Sequence, residues 1–536
     1  MTRGYKDIIV AGGGTAGFIT ALILKANYGT NVNVKMIVPS NIGIIGVGEG
    51  STEHFDQFRQ FLQINEEELL KETKGSLKAG IKFENWMKDK TYFHCLSADF
   101  KYTLGADENK IVEFNTMTGD TDNKNWIPRC FIDDTVQDIY AIHDNKIKLK
   151  VNGLFQFHFN TFELNNYLHK LAKKWNIEVI DDEILDVKLD EQGYIDKLIC
   201  KKGEQKGDFY IDSTGFRRVL ISKLGAKWIS YGDQLPLKEA IAFPTGDEDR
   251  YPITTLSKAM NSGWRWKIPT QGRFGNGYIY DTDFINKDQA VDEVQKELGH
   301  DINVAKNIPF DPGALDKVWI KNCYAVGLSA NFVEPLEATS IGSSINQAFI
   351  FMHYLPGYSD LDIKIVNNRC TQLMENVRDF IRLHYINDRR DTPFWRKCAE
   401  LPMSDTLKAM LEVWKNGKML RAMDKLATDH GQGTHDIFRI ENFNLIAAHH
   451  NLIDRKKLKK YFECKNELAM RGFWETYTWT KFRNTPSYIA ELPHKEYLKQ
   501  LGDTMDHNKV AFPKTQLQSF DQWKAHYIKS YSKVDK

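Results

Sequence analysis

The chain has 536 residues, of which 72 are Lys or Arg and 71 are Asp or Glu, giving a formal net charge of +1 at neutral pH. A balance this close to zero argues against a broad nucleic-acid or membrane-surface footprint, and 42% apolar residues suffice for a large core. The seven cysteines are scattered without a C-x-x-C pair, which predicts reduced thiols in a cytoplasmic chain and no metal site. No apolar run is long enough to span a bilayer.

The first predicted unit is a strand and a helix joined by a glycine turn. Apolar residues 8–10 precede Gly12, Gly14 and Gly17, whose G-x-G-x-x-G spacing is typical of dinucleotide binding. Gly12 would permit a tight turn, Gly14 would leave bare backbone for a pyrophosphate, and Gly17 would let the helix pack closely on the strand. We therefore expect a nucleotide cofactor at the N-terminus of this helix, on an α/β fold with a Rossmann-like sheet.

A second strand is predicted at Val32–Val38. In a dinucleotide-binding unit, an acidic residue commonly ends this strand and holds a ribose. Val38, followed by Pro39 and Ser40, occupies that place here, so the ribose contact stays open. The glycine-rich residues 41–52 that follow predict a loop able to lie against a ligand.

The rest of the chain alternates between strand and helix patterns. The further predicted elements are strands within 91–160 interrupted by the polar stretch 105–122, a helix at 161–175, strands near 177–180, 195–200 and 208–218, short strands and turns over 230–310, a strand and turn at 322–331, a helix at 343–354, and mainly helices after 371. The sequence contains no internal repeat and no clear linker. We therefore expect cofactor-binding and substrate-binding segments to interleave over residues 1–400, followed by a mainly helical part of the substrate module at 401–536.

Several separated motifs occur together in one order. They are the first glycine loop, GVGE (46–49), LKAGIKFENW (77–86), IDSTGFR (211–217), GWRWKIP (263–269), EPLEATSIG (334–342) and DTPFW (391–395). In this order they resemble the flavin-dependent halogenases of the tryptophan-halogenase family, from residue 8 to about residue 400. The resemblance implies an FAD-binding fold of the flavin-monooxygenase type.

The same resemblance implies a divided reaction. Reduced FAD and oxygen would form a C4a-hydroperoxide, at which a halide (chloride, bromide or iodide) is oxidised to hypohalous acid. The oxidant would cross an internal tunnel and halogenate a separate electron-rich aromatic substrate such as an indole, a phenol or a heteroaromatic. Because no NAD(P)H domain is evident, a separate flavin reductase would supply FADH2. A homo-oligomer is possible.

Two residues match the catalytic positions of that family. Lys78 would hold the hypohalous acid by a hydrogen bond or as a haloamine, and Glu337 would polarise the oxidant or accept the ring proton. An exposed lysine and a simple ion-pair partner are the alternatives. The apolar neighbours Ile81 and Phe83 favour a partly buried Lys78, and Lys82 offers an internal control.

Other positions match the halide site and the wall around the flavin. Thr339 and Ser340 occupy the halide-binding position, and Ala338 stands where the family usually has serine, so one hydrogen bond is missing. Trp264 and Trp266 would shield the flavin from organic substrates, although core packing on alternating strand positions explains them equally well. These assignments are implied by the resemblance.

The resemblance also implies a set of flavin contacts. They are Gly12, Gly14, Thr15, Ala16, Gly17, Gly46, Val47, Gly48, Glu49, Asp212, Gly327, Leu328 and Ile341. Asp212 has two open roles, because its carboxylate could contact the ribityl hydroxyls or cap a helix. His158 lies on an alternating strand pattern, and a structural role is expected for it.

Two other functions remain open at this point. A flavin monooxygenase that hydroxylates its substrate would use a similar fold, and a non-catalytic flavin-binding protein would fit Ala338 and the missing ribose acid. The tryptophan pair and Lys78 argue against both. The aromatic segments 435–452 and 471–482 do not align with the segment that closes the pocket in tryptophan-specific members, so whether free tryptophan is a substrate stays open.

Overall fold

The computed structural model describes residues 5–40, 49–88, 90–95, 112–113, 116, 135–143, 146–151, 156–421, 437–464, 471, 491–499 and 504–506. The α-helices in these residues are α1 (Thr15–Tyr28), α2 (Glu53–Phe61), α3 (Glu66–Glu72), α4 (Thr161–Lys174), α5 (Lys287–Leu298), α6 (Thr339–Tyr354), α7 (Asp360–His384), α8 (Pro393–Glu400), α9 (Asp405–Lys415), α10 (Ile440–His449), α11 (Arg455–Glu463) and α12 (His494–Lys499). They lie around several β-sheets.

The first sheet is parallel except at one edge. Its strands run in the order Glu178–Ile180, Asn33–Ile37, Asp7–Ala11, Phe209–Asp212, Cys323–Ala325 and Trp319–Ile320, with only the last pair antiparallel. The central strand is buried from Ile8 onward, as expected for a parallel strand covered on both faces. Helix α1 packs on α4 and α6. This arrangement confirms the predicted Rossmann-like α/β fold.

The second sheet has seven strands and is mostly antiparallel. Its order is Lys306–Pro309, Glu239–Thr245, Arg273–Tyr280, Gly263–Thr270, Thr254–Ala259, Gly80–Met87 and Lys90–Cys95. The prediction of strands and turns over 230–310 was correct, but it missed a helix and expected shorter strands. The strands reach eight residues, and helix α5 interrupts them. The missed signal for α5 is its capping box, in which Asn286 and Gln289 bond each other's backbone N–H groups.

A small third sheet brings distant segments together. It has the order Glu49–Gly50, Gln156–Phe159 and Ser76–Lys78. The strand Ser76–Lys78 continues almost directly into the strand Gly80–Met87 of the seven-stranded sheet. The third sheet therefore connects the segment that follows the glycine-rich loop to the second sheet.

The remaining short strands form three further sheets. Ile184–Leu189, Ile195–Cys200 and Gly203–Gln205 form one, and Trp228–Ser230, Gly313–Leu315 and Asn331–Phe332 form another. The last contains Thr135–His143, Lys146–Val151, Glu491–Pro493 and Thr504–Asp506. Residues 401–536 thus contribute strands as well as helices, and these strands pair with residues 135–151, which the helical pattern did not predict.

Most predicted helices agree with the structure within a few residues. The helix expected at 161–175 is α4, and the helix expected from Ser343 begins four residues earlier at Thr339. The predicted polar stretch 105–122 lies outside the described residues apart from three positions, and the segment 471–482 apart from Arg471.

Candidate active site

The glycine turn after the first strand is shaped by two close backbone contacts. Gly12 has a φ of +111°, and a Cβ built on it would lie 2.2 Å from the carbonyl oxygen of Ser213. A Cβ on Gly17 would lie 2.5 Å from the carbonyl oxygen of Gly12. Nothing lies within 4 Å of the Cβ position of Gly14. Packing therefore requires Gly12 and Gly17, while Gly14 leaves an open backbone surface at the N-cap of α1.

A second turn packs against the start of α1. Gly327 has a φ of +64°, and a Cβ on it would lie 2.5 Å from the Cβ of Ala16. Ala16 follows Thr15 at the first turn of α1, and the half-buried Leu328 follows Gly327. The carboxyl ends of two strands of the parallel sheet therefore bring Ala16 and Gly327 together, as the predicted flavin contacts require.

Asp212 ends another strand at the same edge of the sheet. One carboxylate oxygen accepts hydrogen bonds from the N–H and hydroxyl of Thr214 and from the hydroxyl of Ser329. The other accepts the N–H groups of Leu220 and Ile221, both at 2.8 Å. A carboxylate offers about four lone-pair sites, so these five donors saturate it. Of the two roles open to Asp212, the capping role is the one this geometry supports.

Only part of the predicted glycine-rich flavin loop is described. Gly46, Val47 and Gly48 lie outside the described residues, and Glu49 begins the strand Glu49–Gly50. Burial raises the pKa of Glu49 to about 7. Its Oε2 atom has no hydrogen-bond partner among the described residues. A buried carboxylate oxygen without a partner in the described part of the chain is consistent with a polar ligand nearby.

The predicted halide residues lie at the N-terminus of α6. Ala338 has a φ of 56° and a ψ of 39°, a left-handed conformation uncommon for a residue with a side chain. Because alanine offers no side-chain acceptor, the N–H groups of the first helical turn have no cap at this position. Thr339 and Ile341 are buried and Ser340 is exposed. A helix N-terminus without a cap is a favourable place for an anion.

Lys78 lies at the meeting point of these segments. Its side chain is fully buried, and Nζ donates a hydrogen bond of 2.8 Å to the carbonyl oxygen of Ser51. A Cβ built on Gly50 would lie 3.4 Å from this Nζ and 3.2 Å from the Cβ of Ala338. Gly50 therefore separates the lysine amine from the turn before α6. The sequence alone does not bring these positions together.

Burial changes the acid–base chemistry of this amine. It lowers the pKa of Lys78 to about 7, although the nearby carboxylate of Glu337 favours the charged form. Charged and neutral amine are therefore both populated near neutral pH. Lys82 has a 38% exposed side chain and forms an ion pair of 2.6 Å with Glu84. Lys78 is therefore buried, as expected, and Lys82, four residues later with a partly exposed side chain, is a matched control.

Glu337 is fully buried between two histidines. Its Oε2 atom lies 2.8 Å from Nδ1 of His94, whose Nε2 lies 2.9 Å from the amide nitrogen of Asn442. Its Oε1 atom lies 2.9 Å from Nε2 of His384, in an ion pair that departs from the direction of an ideal hydrogen bond. Nδ1 of His384 donates to the carbonyl oxygen of Phe380 at 2.9 Å. Both carboxylate oxygens thus have a histidine partner.

These histidines decide the charge of Glu337. Burial raises the pKa of the carboxyl group, but His94 and His384 outweigh that effect and hold the pKa at about 2. Neither histidine was predicted from the sequence. They are 243 and 47 residues from Glu337, on a strand and a helix, and neither stands in a motif that points to a carboxylate. Tertiary packing alone pairs them.

The tryptophan pair is held by a second buried carboxylate. The ring centroids of Trp264 and Trp266 lie 6.0 Å apart, and both indoles are at least nine-tenths buried. Nε1 of Trp264 donates to Oε1 of Glu334 at 3.1 Å, and the hydroxyl of Tyr385 donates to the same oxygen at 2.5 Å. Burial raises the pKa of Glu334 to about 7. Glu334 fixes the orientation of the Trp264 indole, a role that the sequence did not indicate.

His158 has the structural role that was expected. It is fully buried, and its two ring nitrogens lie 3.2 Å from the hydroxyl of Ser76 and 2.8 Å from that of Thr255. Burial, followed by repulsion from Lys78, lowers its pKa well below the usual range. With both ring nitrogens satisfied, His158 stays neutral and ties the Lys78 strand to its neighbours.

Three further features describe the chain around this site. No helix in the described part of the chain is long and apolar enough to cross a membrane. Within those same residues, no cluster of three or more His, Cys, Asp or Glu side chains could hold a metal ion. The described cysteines at positions 200, 323, 370, 398 and 464 are free thiols.

Comparison with known proteins places this geometry in context. The tryptophan halogenase family model matches residues 7–463. The chain is 30% identical over 449 residues to the tryptophan 6-halogenase SttH of Streptomyces toxytricini, covering 77% of this chain and 84% of that protein. It is 31% identical over 438 residues to the 7-chloro-L-tryptophan 6-halogenase KtzR of Kutzneria sp. (strain 744), covering 76% and 84% respectively.

Solved structures agree with the fold. The crystal structure of SttH superposes with a TM-score of 0.75 at 25% identity and covers 90% of this chain and 97% of that one. A tryptophan halogenase structure from Shewanella frigidimarina gives a TM-score of 0.81 at 24% identity, covering 96% of this chain and all of that one. The similarity therefore extends well beyond the glycine turn, over most of both chains.

Proposed function

The chain belongs to the tryptophan halogenase family, and from this premise we propose how its residues divide the work of a flavin-dependent halogenase. The enzyme halogenates an aromatic substrate. We assign the cofactor as FAD, supplied as FADH2 by a separate flavin reductase, and the substrate as an electron-rich indole, phenol or heteroaromatic. The observation that carries the proposal is the fully buried Lys78 amine next to the Glu337 turn, with Gly50 between them.

The residues at the carboxyl edge of the parallel sheet fit a flavin dinucleotide. The open backbone at Gly14 and the uncapped start of α1 suit a pyrophosphate. Ala16 and Gly327 pack closely beside this surface, and the unpaired Glu49 oxygen lies in the segment that would follow the flavin. When bound and reduced, FAD with oxygen supplies the oxidising equivalents that convert a halide into hypohalous acid.

A carboxylate of the neighbouring strand would replace the missing ribose acid. Asp181 follows the strand Glu178–Ile180, and its Oδ1 atom accepts the N–H of Ser40 at 2.9 Å. Ser40 lies just beyond Val38, the position at which an acidic residue was expected. Asp181 therefore presents a negative charge at the edge of the sheet where the ribose of a dinucleotide is held in this fold.

The start of α6 would hold the halide. Its free N–H groups, the buried Thr339 and the exposed Ser340 supply donors without a carboxylate in the same turn. The left-handed Ala338 directs the chain from Glu337 into this helix. A halide held at this turn would lie close to the Lys78 amine, because the Cβ position of Gly50 is 3.2 Å from the Cβ of Ala338 and 3.4 Å from Nζ of Lys78.

Lys78 would hold the hypohalous acid over the substrate. In its charged form the amine donates a hydrogen bond to the oxidant, and in its neutral form it can become a haloamine. A pKa of about 7 makes both forms accessible. In the transfer step the aromatic C–H bond and the O–halogen bond break, a carbon–halogen bond forms, and the ring proton and the hydroxide leave as water. Glu337 favours the ammonium form and the positive charge that develops on the ring.

Trp264 and Trp266 would keep organic substrates away from the flavin. Two buried indoles fill this region, while a halide ion is small enough to pass. Glu334 and Tyr385 hold Trp264 in one orientation. This wall favours a halogenase over a hydroxylase, because a hydroxylase brings its substrate next to the flavin.

Mass spectrometry of the products tests the proposal. The full chain is supplied with FAD, a flavin reductase, NADH and, in turn, chloride, bromide and iodide, against a panel of indoles and phenols. A product with the isotope pattern of chlorine or bromine supports the assignment. A product with one added oxygen would support a hydroxylase, and reduction of FAD without any product would support a flavin-binding protein.

A further inference from the structure

The cluster around Glu337 contains more proton-carrying groups than the halogen-transfer step requires. His94 and His384 are both fully buried against its carboxylate. A buried histidine is usually neutral, because burial disfavours its charged form. The hydrogen-bond partners of each ring nitrogen determine which histidine departs from that rule.

His94 has the pattern of a neutral histidine. Its Nδ1 carries a proton toward Glu337, since a carboxylate only accepts. Its Nε2 faces the amide nitrogen of Asn442, because the amide oxygen of Asn442 accepts the N–H of Arg439 at the start of α10. The amide nitrogen donates, so Nε2 of His94 holds no proton. Protonating it would require the amide to turn and would break the cap of α10.

His384 has the opposite pattern. Its Nδ1 donates to the carbonyl oxygen of Phe380, so that nitrogen is protonated. Its Nε2 lies 2.9 Å from Oε1 of Glu337. Two atoms with only lone pairs would repel each other at this distance, so one of them carries a proton, although the pair departs from the direction of an ideal hydrogen bond. Because Oε2 of Glu337 already accepts the N–H of His94 Nδ1, and a hydrogen bond donated to a carboxylate favours its anion, that proton belongs to His384.

The other titratable groups packed against the cluster are neutral or shared with the site. The hydroxyl of Tyr92 donates to Nε2 of His450, whose Nδ1 donates to the carbonyl oxygen of Ile386. Burial holds the pKa of His450 at about 3 and that of His449 well below its usual range. It raises the pKa of Tyr92 well above 10. Among the described residues, Lys78 and Glu334 are the groups close to this cluster whose charge changes near neutral pH, because burial moves the pKa of each to about 7.

We propose that His384 is a positively charged positioning residue that keeps Glu337 ionised beside Lys78. Through Glu337 it sets the proton balance of the lysine amine. Without His384, burial would favour the protonated form of Glu337, or an uncompensated Glu337 anion would favour the ammonium form of Lys78. In either case the pKa of Glu337 or of Lys78 rises, so the two residues together release their protons at a higher pH. The consequence for halogenation rests on the function proposed above, while the charge of His384 does not.

Nitrogen NMR of the histidine side chains tests the charge directly. In the full chain with 15N-labelled histidine at pH 7, His384 should give the signals of an imidazolium, and His94 those of a neutral ring protonated at Nδ1. H384Q and H94Q assign the two sets of signals. Glu337→Gln removes the anion and should convert His384 to a neutral ring. H353Q, which removes an exposed histidine of α6, should leave both sets unchanged.

The pH dependence of halogenation gives a second readout. In H384Q the acid limb of the kcat/KM profile should move to higher pH by about one unit or more, while H353Q keeps the wild-type profile. An equal loss of rate at every pH would indicate a merely structural role and overturn the proposal. If H384Q fails to fold, the effect of Glu337→Gln on the His384 signals decides instead.

The two proposals fail in different ways. A wild-type chain that halogenates its substrate but shows a neutral His384 at pH 7 overturns the inference alone. A chain that shows a charged His384 but forms no halogenated product at any pH overturns the proposed function and leaves the charge assignment in place.

Discussion

Replacing Lys78 by methionine should stabilise the protein at neutral pH while removing its activity. Methionine has a similar length and fills the same buried space without a charge. An ordinary lysine has a pKa of 10.5, and burial lowers the pKa of Lys78 to about 7 in the folded chain. From this difference, keeping the amine buried costs about 4 kcal/mol of unfolding free energy at pH 7. The hydrogen bond to Ser51 that the variant loses offsets about 1–2 kcal/mol.

The sign of the pH dependence follows from the direction of the pKa change. Between pH 7 and 10.5 the unfolded chain holds a proton that the folded chain has released, so wild-type stability increases with pH over this range. The cost of the buried amine therefore decreases to about 2 kcal/mol at pH 9. K78M should exceed the wild type by about 2–3 kcal/mol at pH 7, and the advantage should nearly disappear at pH 9.

Urea denaturation at the two pH values, followed by tryptophan fluorescence, measures this difference. Lys82→Met is the matched control, because its side chain is exposed and the change should stay within about 0.5 kcal/mol at both pH values. The reasoning is refuted if K78M is less stable than the wild type at pH 7, or if its advantage is the same at pH 9.

Three further substitutions test other parts of the site. Lys78→Ala should lower the halogenation rate by at least about 10²-fold, as expected for a positioned proton-transfer group, and should leave FAD binding intact. Product formation measures the first effect, and titration with FAD measures the second. Gly14→Val should abolish FAD binding with only a small fall in melting temperature, because the Cβ position meets no protein atom while valine is a poorer N-cap than glycine. Retained FAD binding would contradict the pyrophosphate assignment. Glu334→Gln should stabilise the chain by about 3 kcal/mol above pH 8 and have little effect at pH 4.5. The reason is that burial raises the pKa of Glu334 from 4.5 to about 7, so the stability of the wild type falls as the pH rises over that range. An equal effect of the substitution at both pH values, measured by urea denaturation, would argue against a buried charge.

The sequence by itself determined the fold class and most of the elements that build the cofactor edge. The glycine spacing after a short apolar strand predicted the turn at Gly12, and the structure shows why glycine is needed there. Helix α4 and the strand Phe209–Asp212 were recognisable from local periodicity. These features are local, because the residues that define them are close neighbours in the chain.

Other assignments from the sequence needed the structure for their interpretation. Lys78 was expected to be partly buried and is completely buried, and Asp212 had two open roles until its five hydrogen-bond donors favoured the cap. The region 230–310 was expected to mix short strands and turns; it holds strands, some longer than expected, and a helix that was missed. Its strands are stabilised by partners that are distant in sequence, such as the parallel pairing of Thr254–Ala259 with Gly80–Met87.

Only the tertiary structure decided the charges at the site. His94 and His384 meet Glu337 because a strand of the seven-stranded sheet and the last turn of α7 pack on the turn before α6. Glu334 finds Trp264 and Tyr385 in the same way. A residue's protonation depends on the charges, donors and water within a few ångströms, and the histidines that set the charge of Glu337 are 243 and 47 residues away in the chain. Local patterns can therefore predict where a lysine or a glutamate stands, while its acid–base chemistry is determined only when the chain has folded.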